Sequence, residues 1–309
     1  MKSYYRVMLG QGHAFAAECF AGGFIGVDYE MPMDLTSNLP EEWRAFNAQF
    51  IPIYMAGHPG KSKVAAGLAC GTLWTVAKGI KTTDDVLCPD GSGRYRIGEV
   101  VGDYFYQPGG ALPHRRPVKW LDEAIDRPDM SDPLKASTGS YGTVVNITGY
   151  RDEIEKLIAG LPATSAVVSD EGIVEDSAAF AMESHLEDFL VQNWSKTDLG
   201  KQYDIFSVDG VPVGRQYMTD TGPLDILAVS KDQKRLLVIE LKKGRASDAV
   251  VGQTLRYMGY VREELAESAQ VVEGAIIALD DDQRIRRALS VAPNIAFFRY
   301  QVSFNLVKS

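Results

Sequence analysis

Two carboxylates and a lysine, close together on apolar strands, are the residues of this 309-residue chain best suited to chemistry. Asp225 interrupts the apolar run Leu224–Val229. A second apolar run, Leu236–Leu241, ends in Glu240-Leu241-Lys242, and the charge-rich segment Ser230–Lys234 separates the two. Two apolar runs around a polar turn read as a β-hairpin buried on at least one face. Strand alternation puts Glu240 and Lys242 on one side and Leu241 on the other. Charges at the end of a buried strand are costly unless they are paired or bind a metal. Two carboxylates facing a lysine can hold a divalent cation beside an activated water.

Helices flank the hairpin on both sides in the sequence. Ser177 to Trp194 reads as a strong helix whose apolar face includes Met182, Leu186, Phe189 and Leu190. Glu183 and Glu187 lie four residues apart on it and share a face. His185 is about 100° away from its neighbours around the helix and reads as a surface residue. Asp248 to about Glu267 reads as a second helix, with Gln253 and Tyr257 on one face. Val271–Leu279 and Asn294–Tyr300 read as strands, with a helix from Asp281 to Leu289 between them. Tyr203–Val208 and Val211–Tyr217 read as a hairpin around Asp209-Gly210.

Asp225 followed by Glu240-x-Lys242 resembles the core of the PD-(D/E)xK nuclease superfamily, and Gln253-x-x-x-Tyr257 resembles the helical motif of its RecB-like branch. The C-terminal half is most similar to NucS-type endonuclease domains, through Gly222-x-Leu224-Asp225, Glu240-Leu241-Lys242-Lys243 and Gln253-x-x-Arg256-Tyr257. The resemblance implies an α/β restriction-endonuclease-like core of order αβββαβ that uses Mg²⁺ or Mn²⁺. In it Asp225, Glu240, the Leu241 carbonyl and Glu187 would hold the cation, with Glu183 as the alternative helical ligand. Lys242 would orient or deprotonate the attacking water. Gln253 and Tyr257 would orient the lysine or touch the DNA backbone.

The length suffices for two domains. Hydrophobic and charged contents of 45% and 24% are those of a globular protein. No apolar run approaches the roughly 20 residues of a membrane helix, and the N-terminus lacks signal-peptide features. Cys19, Cys70 and Cys88 are widely spaced and read as reduced thiols, which points to the cytoplasm and away from zinc. A net charge of −9 excludes a global basic field for nucleic acid, so DNA contacts must come from local clusters. The segment 161–176 mixes Pro, Ser, Gly and acidic residues without periodicity. It reads as a linker between an N-terminal recognition domain (1–160) and the nuclease domain (177–309).

The N-terminal half reads as a smaller α+β unit. Gly57–Ser62 looks like a phosphate loop but has Met55 where glycine is required, so it reads as a helix-starting turn. Arg94, Arg96, His114, Arg115, Arg116 and Lys119 form its densest basic segment, interleaved with Tyr104, Phe105, Tyr106 and Trp120. Cations and aromatic rings together suit phosphates and exposed bases, whereas a solvated strand end beside a core aromatic cluster would look the same. The run Arg96–Tyr106 followed by His114–Trp120 resembles the N-terminal, EVE/PUA-like modules of Mrr- and McrB-type restriction proteins. That resemblance implies a partly barrelled domain that holds a modified base. The whole reads as a metal-dependent DNA endonuclease of modification-dependent restriction or phage defence, expected to be a homodimer, with Ile295–Val307 serving either as the last strand of each core or as an interface. The alternatives are a NucS-like repair endonuclease on mismatched or branched DNA, and a nuclease-fold binding protein that does not cut.

Overall fold

The computed structural model describes residues 2–160 and 186–301. The expected linker at 161–176, Glu183, His185 and residues 302–307 lie outside the described residues. The chain divides into two compact units, Met1–Ala181 and Met182–Ser309.

In the first unit the elements run β1 (Tyr4–Val7), α1 (Ala16–Gly22), β2 (Phe24–Val27), α2 (Trp43–Gly57), α3 (Lys63–Trp74), β3 (Asp85–Pro89), β4 (Arg94–Val100), β5 (Phe105–Tyr106), β6 (His114–Asp126), α4 (Asp132–Thr138), β7 (Val144–Asn146) and α5 (Arg151–Ile158). The strands form one seven-stranded sheet in the order β2-β6-β4-β3-β1-β7, with β5 also on β6. The β6 strand serves two partners in turn: residues 114–117 pair with β2, and 118–126 with β4. Apolar periodicity in α2 and α3 buries Phe46, Phe50, Ala66, Cys70 and Leu73 in one core with Ile25, Val86 and Val118. The Ser62 side chain accepts the Ala65 N–H (3.3 Å), so the phosphate-loop look-alike is a helix N-cap. The three cysteines are buried free thiols, each pushed upward in pKa by burial.

In the second unit the helical residues 186–192 (α6) are followed by β8 (Tyr203–Ile205), β9 (Arg215–Thr219), β10 (Gly222–Ser230), β11 (Arg235–Arg245), α7 (Asp248–Tyr260), β12 (Val271–Asp280), α8 (Gln283–Leu289) and β13 (Ile295–Arg299). The sheet order is β13-β12-β11-β10-β8, with β9 also on β10. β11, β12 and β13 run parallel, and β10 is antiparallel to its neighbours. The hairpin expected between Tyr203–Val208 and Val211–Tyr217 is not formed by two paired strands. Both segments pair with β10 instead, β8 along residues 228–230 and β9 along 222–226, and a single bridge joins Val208 to Val211. The link between them passes so close to β10 that a Cβ on Gly214 would lie 2.2 Å from the Leu227 carbonyl.

One face of this sheet buries Ile226, Ala228, Ile239, Leu241, Ala275 and Ile277 with Trp194 and Leu199, against which Leu186 and Leu190 of α6 pack. α7 packs against β11 and β12. It comes so close at Gly274 that a Cβ there would meet the Met258 sulfur at 2.7 Å. Among the described residues, no helix is long and apolar enough to cross a membrane.

Candidate active site

The site forms where two strands part company. β10 and β11 pair from Val229↔Leu236 to Ile226↔Ile239, whereas β11 continues along β12 through Lys242↔Ala278 and, after a register shift, to Arg245↔Asp280. Glu240, Leu241 and Lys242 are therefore held by β12 on one side and left open toward β10 on the other. At the parting the Asp225 carboxylate replaces the backbone rung: its Oδ2 accepts the Leu241 N–H at 2.7 Å. Two residues along from Glu240, Lys242 brings its Nζ to 3.1 Å from Glu240 Oε1. The Glu240 side chain is only 2% exposed and that of Lys242 is 29%, so the pair runs from the interior to the surface. Asp225, Glu240 and Lys242 thus meet at one end of the hairpin.

α6 adds Glu187, which is almost wholly buried. Its Oε1 accepts from Arg215 Nε, its Oε2 accepts from the Gln216 amide, and Arg215 also reaches Asp188 at 2.6 Å. Burial pushes the Glu187 carboxyl up to about 7 against the pull of Arg215, and the nearby Asp225 pushes the same way. Glu187 was expected as a cation ligand, but here both its oxygens already accept hydrogen bonds. The Gln216 amide nitrogen also lies 3.4 Å from Asp225 Oδ1, so a single NH₂ group touches both carboxylates.

Gln216 stands opposite Asp225 between the rungs Leu224↔Tyr217 and Ile226↔Arg215, and its own φ is 50°. That conformation is rare for a non-glycine residue and interrupts the β9–β10 ladder at this point. Neither Arg215 nor Gln216 stands out in the sequence, because only the β9–β10 register brings them to Glu187 and Asp225.

On α7 the Tyr257 hydroxyl donates to the Pro223 carbonyl at 2.9 Å. Tyr257 is buried, which raises its pKa, and Gln253 hydrogen-bonds to it. Tyr257 was expected to touch DNA or orient Lys242, and here its hydroxyl is engaged with the carbonyl two residues before Asp225. Gln253 is half-buried beside it.

These groups offer hard oxygen donors suited to Mg²⁺ or Mn²⁺: the Asp225, Glu240 and Glu187 carboxylates and the Leu241 carbonyl. In the present arrangement, no three His, Cys, Asp or Glu side chains among the described residues gather closely enough to hold an ion. The donor chemistry fits the cation, and the side chain lying between two of the donors is Gln216.

The basic segment of the N-terminal unit is mostly internal. His114 is fully buried, with Nε2 donating to the Met31 carbonyl (2.9 Å) and Nδ1 2.9 Å from the Tyr104 hydroxyl. Arg115 lies 3.8 Å over the Phe24 ring and donates to the Leu112 and Ala111 carbonyls. Arg116 donates to the Ile80 carbonyl at 2.5 Å and to the Gly102 carbonyl at 2.9 Å, closing the end of the helical segment that continues α3. The expected DNA contacts through His114, Arg115 and Arg116 are therefore corrected: these side chains satisfy backbone carbonyls inside the fold, where phosphate does not reach.

Trp120 is half-buried, donates to the Cys19 carbonyl (3.2 Å) and packs edge-on against Phe20. Arg94 and Arg96 face solvent, Arg94 paired with Asp126 at 3.0 Å and Arg96 over Phe20. Arg94 also lines a cavity of about 530 Å³ with Arg127 and Lys135, two cations the sequence did not single out. A fully buried Arg6 donates to the Ser140 and Gly142 carbonyls at 2.6 Å, and burial lowers its pKa to about 10.

Residues 182–295 match the family described as Endonuclease NucS C-terminal domain, and residues 5–148 match a domain family of unknown function, DUF8426. No curated protein matches the chain by sequence. Among solved structures, the chain is similar to the EndoMS–dsDNA2 complex (14% identity, 68% of this chain and 62% of that one, TM-score 0.32). It is also similar to a repair endonuclease from Pyrococcus abyssi (16%, 69% and 66%, TM-score 0.32) and to EndoMS in its apo form (14%, 69% and 76%, TM-score 0.31). The chain spans less than two thirds of the first two. Its C-terminal unit is a NucS-like, nuclease-fold domain.

Proposed function

We propose that this chain, with its NucS-like C-terminal unit, is a metal-dependent DNA endonuclease that hydrolyses phosphodiester bonds in the cytoplasm. The observation that carries the proposal is the convergence of Asp225, Glu240 and Lys242 where β10 leaves β11. The Asp225 and Glu240 carboxylates and the Leu241 carbonyl would hold Mg²⁺ or Mn²⁺, with the Glu187 carboxylate of α6 completing the set. The bound cation would supply Lewis acidity at the phosphate and lower the pKa of water beside it.

Asp225 fixes the Leu241 peptide, and with it the direction of the Leu241 carbonyl. Glu240 holds the Lys242 ammonium at the mouth of the site. Lys242 would orient the attacking water and offset the charge that builds on the phosphate as the new P–O bond forms and the old one breaks. A compact ammonium whose pKa shifts readily suits this place better than a guanidinium. Tyr257 and Gln253 act behind the site by holding the first residues of β10.

A metal centre grips phosphate and reads little sequence, so target choice falls to the N-terminal unit. Arg94 and Arg96 are its solvent-facing candidates. We place the enzyme in modification-dependent restriction or phage defence, acting as a homodimer on double strands. The match to an endonuclease NucS domain favours a second reading, repair of mismatched or branched DNA. Cleavage of plain, base-modified and mismatched plasmids with Mg²⁺, Mn²⁺ or EDTA tests these readings. Cutting confined to modified DNA supports restriction, and cutting confined to mismatched DNA supports repair. Metal-independent cutting, or binding of any of these DNAs without cutting, contradicts the proposed enzyme.

A further inference from the structure

We propose that Gln216 is a built-in competitor for the cation: its side-chain amide lies between the two carboxylates that a cation would bridge, and must swing away for loading. This deepens the metal-dependent reading above and rests on it.

The oxygens decide the matter. One oxygen of Asp225, Oδ2, is committed to the Leu241 N–H, and one oxygen of Glu187, Oε1, to Arg215. The other two, Asp225 Oδ1 and Glu187 Oε2, converge on the same Gln216 nitrogen. The Gln216 amide nitrogen is within hydrogen-bond reach of both oxygens, so a cation shared by them, which must approach each more closely still, competes with the amide for the space between them.

The backbone places the amide there at a cost. Gln216 has a φ of 50°, on the one rung where the β9–β10 ladder lapses, and side chains disfavour that conformation. Strain of this kind persists where the surrounding contacts over-determine it. The contacts around this residue are the β9 pairing on either side and the two carboxylates. Arg215 stays on Glu187 Oε1 throughout, so α6 keeps its charge partner while Gln216 moves.

The test is isothermal titration of the full chain with Mn²⁺ alone, without DNA, for the wild type, Gln216→Gly and Gln216→Asn. Glycine relieves the backbone strain and removes the amide. Asparagine tolerates the positive φ but is too short to bridge both carboxylates. Thermal unfolding in the same buffers reports that each variant is folded. Both variants are expected to bind Mn²⁺ about tenfold more tightly than the wild type, the scale of losing a competing hydrogen bond to charged groups. Equal or weaker binding in both variants, with the wild type binding Mn²⁺, overturns the competitor role and leaves the metal site standing. Failure of all three proteins to bind overturns the metal site and this inference together.

Discussion

The Asp225 carboxylate accepts the backbone N–H of Leu241 at 2.7 Å, a side chain doing the work of a strand rung where β10 separates from β11. Asp225 is therefore both a structural acceptor and a candidate ligand, and two substitutions separate these roles. Asparagine keeps an oxygen for the Leu241 N–H, so Asp225→Asn should unfold within about 1 kcal/mol of the wild type. It should nevertheless cut DNA at least ~100-fold more slowly, because the anionic ligand is gone. Alanine removes the acceptor as well and should cost about 1–3 kcal/mol more. Denaturant unfolding and plasmid cleavage on the same preparations measure both effects.

Arg215 holds a buried carboxyl, Glu187, whose pKa burial raises from 4.5 to about 7. A carboxyl whose folded pKa lies above its unfolded value keeps more protons when folded, so its contribution to stability falls as pH rises between the two. Removing Arg215 leaves that carboxyl without its cation and raises its pKa further. Arg215→Ala should therefore destabilise the C-terminal unit more at pH 8 than at pH 6, by about 3 kcal/mol at the higher pH. Urea midpoints at the two pH values provide the measurement, and an equal loss at both contradicts this electrostatic account.

His114 gives the N-terminal unit the opposite pH response. Burial, outweighing the Met31 carbonyl, lowers its pKa from 6.5. The unfolded chain then takes up the proton first, so stability is retained above about 6.5 and lost as pH falls toward the folded value. His114→Gln keeps a donor and an acceptor without a titrating ring. It should flatten the decline in this unit's unfolding midpoint between pH 7 and pH 5.5, which calorimetry would follow.

Arg116 reads in the sequence as part of a DNA-binding cluster but is a closing device for backbone carbonyls at Ile80 and Gly102. Arg116→Ala leaves these acceptors buried, at about 1–3 kcal/mol each, and should destabilise the N-terminal unit by about 3 kcal/mol or more. Arg96→Glu, on an exposed side chain, should change stability by no more than about 0.5 kcal/mol while weakening DNA binding. Unfolding curves and a DNA-binding titration of both variants separate core from surface cations.

The strand that carries the candidate site was legible in the sequence because its information is local. Alternation alone put Glu240 and Lys242 on one side, and helical spacing put Gln253 with Tyr257. The αβββαβ plan came from the family resemblance, and the structure elaborates it with four strands, β8 to β11, between α6 and α7 and with α8 and β13 after β12. What sequence spacing could not carry was the register between distant strands. The positions of Arg215 and Gln216 depend on where β9 meets β10, and the positive φ of Gln216 has no signature in composition. The expected β8–β9 hairpin fails for the same reason, since both strands find partners on β10. At His114–Arg116 the charges were visible but their surroundings were not. β6 is covered on both sides there, so neither direction of the alternation leads to solvent.

The most direct test of the central claim is the rate at which Glu240→Gln nicks or cuts supercoiled plasmid in Mg²⁺, beside the wild type and at matched folded concentration. Glutamine preserves the shape of the side chain and a hydrogen-bonding oxygen, and removes only the charge that pairs with Lys242 and would hold the cation. The site described here predicts a loss of at least ~100-fold with the unfolding midpoint little changed. Cutting by Glu240→Gln at the wild-type rate would contradict it.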